Sequence, residues 1–338
     1  MSSYREGELI ETTEELFFGV KGILHPPDRV TAFLRYVPAE DGNRKWKENS
    51  YMKVYDLESK YEYLRENFPN YLFHSQRLNR KIQAVPIDRI KKLHKPENRL
   101  EELFKKEEKL SPIEKSALKF SKRIINKSGI EKDKIGVTGS ILPRLHTPES
   151  DIDLVIYGEE EGRKAYSALK KLRKSDEQLI PYDDENALRI AQFRWGKTNL
   201  PLKKLAKIEK KKVLHGMFED RDFFIRLVKD RGDISSDYED FSYSNKGSME
   251  IRGIVSDDEN SMFTPNCYNI KNCRTLGSKN QDVKKIESYR GRFTEQARKG
   301  EKIQASGKVE EVFHNNRKYY RLLLESPKDY LIPLGMLS

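Results

Sequence analysis

The chain has 338 residues, enough for two or three domains, with 35% charged, 36% hydrophobic and 10% aromatic residues. That balance excludes a disordered polymer, and no apolar run approaches the roughly 18 residues of a membrane-spanning helix. Two cysteines, Cys267 and Cys273, and six singly scattered histidines exclude a disulfide framework, a four-cysteine zinc site and a metal site built on histidine pairs. The start, MSSYREGELIE, has no signal-peptide pattern, so a cytoplasmic location without a membrane partner is expected.

Residues 1–95 read as an N-terminal α+β region. ELIETTEELFFGVKGIL suggests two short strands around Thr12–Glu15, VTAFLRYVP (30–38) a third, and DLESKYEYLRENFP (56–69) a helix with Asp56 as N-cap. Arg35, Tyr36, Trp46, Tyr51 and Tyr55 are either a basic, aromatic surface for stacking bases or, the favoured reading, mostly core.

The second section, 96–235, opens with a helix in LSPIEKSALKFSKRIINKSG. Ser111 is its N-cap, Pro112 its first residue, Glu114 closes a capping box and Gly129 provides a left-handed cap. A strand KIGVTG, the segment SILPRL, the loop HTPES and a strand DIDLVIYG follow. Helices are expected in EEGRKAYSALKKLRK, ENALRIAQFRW and LKKLAKIEKKK, then a hairpin of VLHGMF and DFFIRLVK around the turn EDR.

RGDISSDYEDFSYSNKGS (231–248) reads as a linker. Residues 248–338 form a strand-rich section, with strands in MEIRGIVS, MFTPNCYNI, KIQASGKVEEVFH and RKYYRLLLES and a hairpin turn at HNNR. Strands so spaced suggest a small β-barrel, with an OB type as one form, which serves either nucleic-acid binding or structure alone.

The net charge of +11 has dense spots in PLKKLAKIEKKK (201–212) and YRGRFTEQARKGEK (289–302). Such clusters either attract phosphate backbones or are simply solvated faces.

The chemistry-bearing pattern lies at 136–158. Asp151 and Asp153 are two apart, so they project to one face of a strand while Ile152 points to the other. Two converging carboxylates repel each other unless a cation sits between them, and oxygen donors suit Mg²⁺. Gly139-Ser140 ends the preceding strand and is expected to open a short helix whose free N–H groups, with the Ser140 hydroxyl, would hold phosphate. Arg144 and His146 lie in the intervening loop, where they either reach phosphate or, as is more common for a loop arginine, are simply solvated. No Walker-type lysine loop is present, which argues against a P-loop NTPase.

Gly-Ser, a gap of ten residues and Asp-Ile-Asp-Leu resemble the signature of the DNA polymerase beta-like nucleotidyltransferase superfamily. The whole chain, with GELIETTEELFFGVKG near one end and SYRGRFTEQARKGEKIQASGK near the other, also looks similar to archaeal proteins described as predicted nucleotidyltransferases. The resemblance implies an α+β fold with a central nucleotidyltransferase palm, a mixed sheet with helices. It further implies a two-Mg²⁺ site and transfer of a nucleoside monophosphate from an NTP to an acceptor hydroxyl, with RNA or DNA as one acceptor class. The superfamily's third carboxylate falls at Phe224 in FFIRLV. Asp222, of the same facing and about 7 Å further along the strand, is the preferred substitute and Asp220 the next. Arg226, on the same face, would pair with Asp222 or meet a nucleotide. The alternative is a catalytically degenerate nucleotidyltransferase fold acting as a nucleic-acid-binding or scaffold module. The oligomeric state is not legible.

Overall fold

Buried and half-buried residues alternate along the longest strand of the N-terminal sheet, Arg29–Pro38, in a computed structural model that describes residues 4–46, 48–277 and 281–336. Strands β1 (Leu9–Thr12) and β2 (Phe17–Val20) are the two short strands expected, and they pair antiparallel; β3 (Arg29–Pro38) buries Val30, Ala32, Leu34 and Tyr36. Then come β4 (Arg44–Trp46), β5 (Asn49–Lys53) and helix α1 (Leu57–Asn67), whose first turn is capped by the Asp56 carboxylate accepting from the Glu58 and Ser59 N–H groups. After β6 (Leu72–Ser75), β7 (Arg80–Pro86) and β8 (Ile90–His94), the sheet runs β4-β5-β3-β2-β1-β8, with β7 also on β3 and β6 on β7. Ile10, Phe18, Leu34, Leu64 and Tyr71 centre its core. Tyr36 and Tyr51 pack with Phe17 in a second cluster, so these two aromatics are core, while Tyr55 is 67% exposed.

Helix α2 (Pro96–Lys105) precedes α3 (Pro112–Ser128). As expected, the Ser111 N–H and hydroxyl both donate to Glu114, and Gly129 closes α3 at φ +70°. Strand β9 (Ile135–Val137) pairs antiparallel with β10 (Ile152–Tyr157). The chain continues through α4 (Glu159–Ser175), β11 (Leu179–Ile180), α5 (Asp184–Trp195), α6 (Leu202–Glu209), β12 (His215–Phe218) and β13 (Arg221–Val228). Strand β13 lies parallel to β10. Helix α6 ends three residues before the lysine run does, because Lys212 is fully buried and its ammonium donates to Glu209 (3.1 Å) and to the Arg292 carbonyl (2.6 Å).

The last part comprises β14 (Phe241–Asp257), β15 (Phe263–Thr264), β16 (Asn266–Leu276), β17 (Val283–Ser288), β18 (Lys302–His314), β19 (Arg317–Leu323) and β20 (Tyr330–Pro333). The segment read as a linker up to residue 248 is instead half strand: Phe241–Asn245 pair with Glu310–His314. Its Ser, Asn and Gly content signalled a loop, but the ladder on β18 overrides that local preference. The HNNR turn is as expected, with Asn315 and Asn316 both at positive φ (48° and 60°), the conformation a two-residue hairpin turn requires. Pairings run β14-β16-β17-β19-β18 and return from β18 to β14, closing a ring in which β17 and β19 are parallel. Ile251, Tyr268, Ile286, Ile303 and Leu322 of these strands share one core with Trp195 and Leu205 of α5 and α6.

The chain divides into two units: residues 1–76, 80–168 and 218–238, and residues 77–79, 169–217 and 239–338. No helix among the described residues is long and apolar enough to cross a membrane.

Candidate active site

The site begins with strand register in the first unit. Strand β10 is wholly buried except for half-buried Asp153. On β13, Phe223 faces Ile152 and Phe224 faces Asp153; one residue further back along both strands come Asp222 and Asp151. Parallel neighbours in register share a facing, so Asp151, Asp153, Asp222 and Phe224 all point the same way. Phe224 thus flanks Asp153, and Asp222 belongs at the level of Asp151. Asp151 is exposed and Asp222 half-buried. Asp220, the other substitute, has a side chain 84% exposed in the turn.

The Gly-Ser turn lies directly on Asp153. The Thr138 N–H donates to the Asp153 carbonyl (2.9 Å), and a Cβ at Gly139 would stand 2.0 Å from Asp153 Oδ2. Only glycine allows this approach at φ +62°. The expected short helix does not form. Residues 139–144 are turns, held by Arg144 N–H to the Ile141 carbonyl and Leu145 N–H to the Ser140 carbonyl. Pro143 removes a helical donor and disfavours helical backbone at Leu142, and Arg144 turns to φ +61°. The phosphate grip expected here therefore has no helix dipole behind it. Ser140 is 8% exposed, and its hydroxyl makes no hydrogen bond with a described residue.

A cavity of about 80 Å³ opens above Asp153. Its walls include Thr138, Gly139, Ser140, Phe224 and Arg226, and the N-terminal region supplies Glu6, Gly7, Glu8, Lys21, Arg35 and Lys53. The N-terminal segment is pinned there by Thr138 Oγ1 donating to the Gly7 carbonyl (2.5 Å) and by the Arg5 guanidinium over the Tyr157 ring (3.7 Å). Arg5 also pairs with Glu97 and Asp230. Sequence reading passed over Glu6-Gly7-Glu8; its one signal was a glycine between two glutamates just before a buried strand.

Charge in the cleft is uneven. Glu6 is buried and binds Lys21 (2.8 Å), Arg226 (3.3 Å) and the Gly22 N–H; burial opposes its ionisation, but Lys21 and Arg226 hold it below the ordinary carboxylate range. Burial draws the Lys21 ammonium down to about 8, against the pull of Glu6. Burial pushes Glu8 up to about 6. Asp153 is likewise raised by burial, with Lys53, Arg226 and Arg35 opposing. None of those three cations comes within 4 Å of its carboxylate, which takes no hydrogen bond from a described residue.

Of the residues singled out in the sequence, Gly139, Ser140, Asp153 and Arg226 meet at this cleft; Asp151 and Asp222 stand on the same sheet face outside its lining. Arg144 is directed away and pairs with Glu102 (2.6 Å). His146 lies near the Ser111 hydroxyl (3.3 Å). Among the described residues, no group of three or more His, Cys, Asp or Glu side chains is assembled to hold a metal. The donor chemistry of Asp151 and Asp153 still fits Mg²⁺, which is commonly bound by one or two carboxylates with substrate phosphates completing the shell.

The basic clusters change meaning. Arg292, like Lys212, is interior: 6% exposed, it donates to the backbone carbonyls of Arg194, Ser326, Pro327 and Asp329. Arg290 donates to the Glu325 carbonyl. Lys203, Lys207 and Lys211 remain exposed.

Comparison with known proteins agrees with this geometry. Residues 117–216 match the model of a nucleotidyltransferase domain, a span that holds Gly139, Ser140, Asp151 and Asp153 and stops short of Asp222. The uncharacterized protein MJ1086 of Methanocaldococcus jannaschii is 33% identical over 325 residues, 94% of each chain. No solved structure matches the chain. The chain carries a nucleotidyltransferase domain and belongs, over nearly its whole length, to the same family as that archaeal protein.

Proposed function

We propose that the protein transfers a nucleoside monophosphate from an NTP to an acceptor hydroxyl. The observation that carries this reading is the contact of the Gly139-Ser140 turn with Asp153, which brings a hydroxyl with no partner among the described residues beside a carboxylate near the start of β10. Asp151 and Asp153 would hold divalent magnesium and Asp222 would complete the donors. When bound, the metal would supply charge neutralisation at the phosphates and a lowered pKa at the acceptor hydroxyl. Ser140 would donate to a phosphate oxygen, and Arg226, steadied by Glu6 and by the Phe224 ring 5.0 Å away, would balance its charge. The acceptor is a nucleic acid in this proposal. The ring of pairings β14-β16-β17-β19-β18-β14, with β17 and β19 parallel, supports reading this part as a barrel of the OB type, a fold that often holds nucleic acid.

A second reading rests on Phe224. With an aromatic ring beside Asp153 where a third carboxylate is expected, the fold would bind nucleotide or nucleic acid without turnover. Incubation with Mg²⁺, each labelled triphosphate and candidate acceptors (total RNA, oligonucleotides, the protein itself) separates the two. Transfer that disappears in both Asp151→Asn and Asp153→Asn, with the fold intact, is expected; wild-type turnover in both variants would remove the metal reading.

A further inference from the structure

We propose that the N-terminal sheet supplies the polyphosphate grip of this cleft, through Arg35 on β3 and Lys53 on β5. The inference rests on the nucleotidyltransferase reading for its ligand class, a nucleoside triphosphate, but its residues lie outside the matched domain.

The argument is one of charge balance. Four cations line the cavity: Lys21, Arg35, Lys53 and Arg226. Glu6 engages Lys21 and Arg226 directly. Arg35 and Lys53, both half-buried, make no ion pair with any described residue. The Lys53 ammonium sits over the Tyr55 ring at 4.6 Å, and Arg35 lies along Gly19, where a Cβ would stand 3.3 Å from its Nε. Glycine at that position thus leaves the guanidinium room against the sheet. Burial, and after it the like charge of Arg35, lowers the Lys53 ammonium below its ordinary range. Two cations confined together are costly unless an anion shares the space. The carboxylate they face, Asp153, stays more than 4 Å from both, and the cavity between has room for several waters or a phosphate group.

A purely structural role would have the cations touching Asp153, as Lys21 touches Glu6. They stand off instead. Phosphate oxygens entering from the open side would accept from the Arg35 fork and the Lys53 ammonium, while the Ser140 hydroxyl donates from the opposite wall. The N-terminal sheet then becomes half of the active site rather than an appendage.

The test uses the full chain and sodium tripolyphosphate with Mg²⁺ as probe, titrated calorimetrically, with UTP and ATP in parallel. Arg35→Gln and Lys53→Gln are each expected to weaken tripolyphosphate binding about tenfold or more, the double variant about 100-fold, and Lys53→Arg to retain it. Thermal unfolding should not fall, because removing one of two repelling charges relieves the fold. Wild-type affinity and transfer in the double variant would overturn this inference and leave the enzymatic reading standing. Binding lost in the double variant, without transfer by the wild type to any acceptor, would support the grip and overturn the enzymatic reading. No tripolyphosphate binding by the wild type would overturn both.

Discussion

Two glycines with nearly the same positive φ allow the proximity of Gly139 to Asp153 to be tested against an internal control. Gly129 has φ +70° and nothing within 4 Å of a built Cβ; Gly139 has φ +62° and would bring its Cβ to 2.0, 2.7 and 2.8 Å from Oδ2, Cγ and Cβ of Asp153. Alanine at either site meets the left-handed penalty, about 1–2 kcal/mol. At Gly129 that is the whole effect. At Gly139 the clash includes Asp153 Cβ, so rotating the carboxylate away does not clear it and the strands must part. Overpacking of this kind adds about 1–3 kcal/mol. Gly139→Ala should therefore lower the urea-unfolding free energy by about 2–5 kcal/mol and Gly129→Ala by about 1–2, and only the former should lose Mg²⁺-NTP binding and transfer. Equal stability losses with unaltered nucleotide binding in Gly139→Ala would refute the close approach on which the site is built.

Ser140→Ala should weaken Mg²⁺-NTP affinity by about 1.5–3 kcal/mol, the worth of a hydrogen bond to a charged group, and calorimetry showing no change would remove Ser140 from phosphate binding. His25 is held neutral: its Nε2–H donates to the Tyr4 carbonyl, its Nδ1 accepts from the Thr31 N–H, and burial draws the imidazole down to about 4. The unfolded chain then binds an extra proton between its own pKa, about 6.5, and 4, so stability is fully present above about pH 6.5 and is lost as pH falls towards 4. About 3 kcal/mol is at stake, and His25→Gln should flatten that part of the stability–pH curve. In the closed ring, Arg321 is 5% exposed and bridges Glu287 (2.6 Å) and Glu310 (2.8 Å). Arg321→Met removes the partner that two buried carboxylates share, leaving Glu287 with Lys285 (3.1 Å) and Glu310 with Lys308 (2.9 Å), and should cost about 3 kcal/mol at pH 7. Despite the opposing effect of burial, Arg321 and Lys285 hold Glu287 down to about 2. The stabilisation from Glu287 is thus present above pH 4.5 and lost as pH falls towards 2, so the deficit of the variant should shrink in acid; a deficit unchanged at pH 3 would contradict the pairing.

Local chemistry was legible in the sequence wherever it acts over a few residues. The capping box of Ser111 and Glu114, the left-handed Gly129, the Asp56 cap and the HNNR hairpin turn each depend on neighbours within one turn of chain, and each formed as read. The shared facing of Asp151 and Asp153 follows from strand parity, whereas the Gly-Ser turn, read as the start of a helix that holds phosphate, forms turns and lays its glycine on Asp153 instead. Local rules failed where a distant strand or charge had the larger say. Phe241–Asn245 looked like linker until the ladder with β18 gave its backbone partners, and the lysine run at 210–212 read as helix with a face either solvated or open to phosphate until Glu209 drew Lys212 inside.

What the fold alone decided is the company that Asp153 keeps. Nothing in the spacing of Glu6, Lys21, Arg35 and Lys53 relates them to residues 139–153; the β1–β2–β3–β5 sheet brings them over the carboxylate strand, and the Thr138 hydrogen bond to Gly7 fixes the approach. Sequence determines which side chains share a face because side-chain direction repeats every two residues along a strand. It does not determine which face lies opposite, because that depends on how separate pieces of core find partners across more than 100 residues of chain.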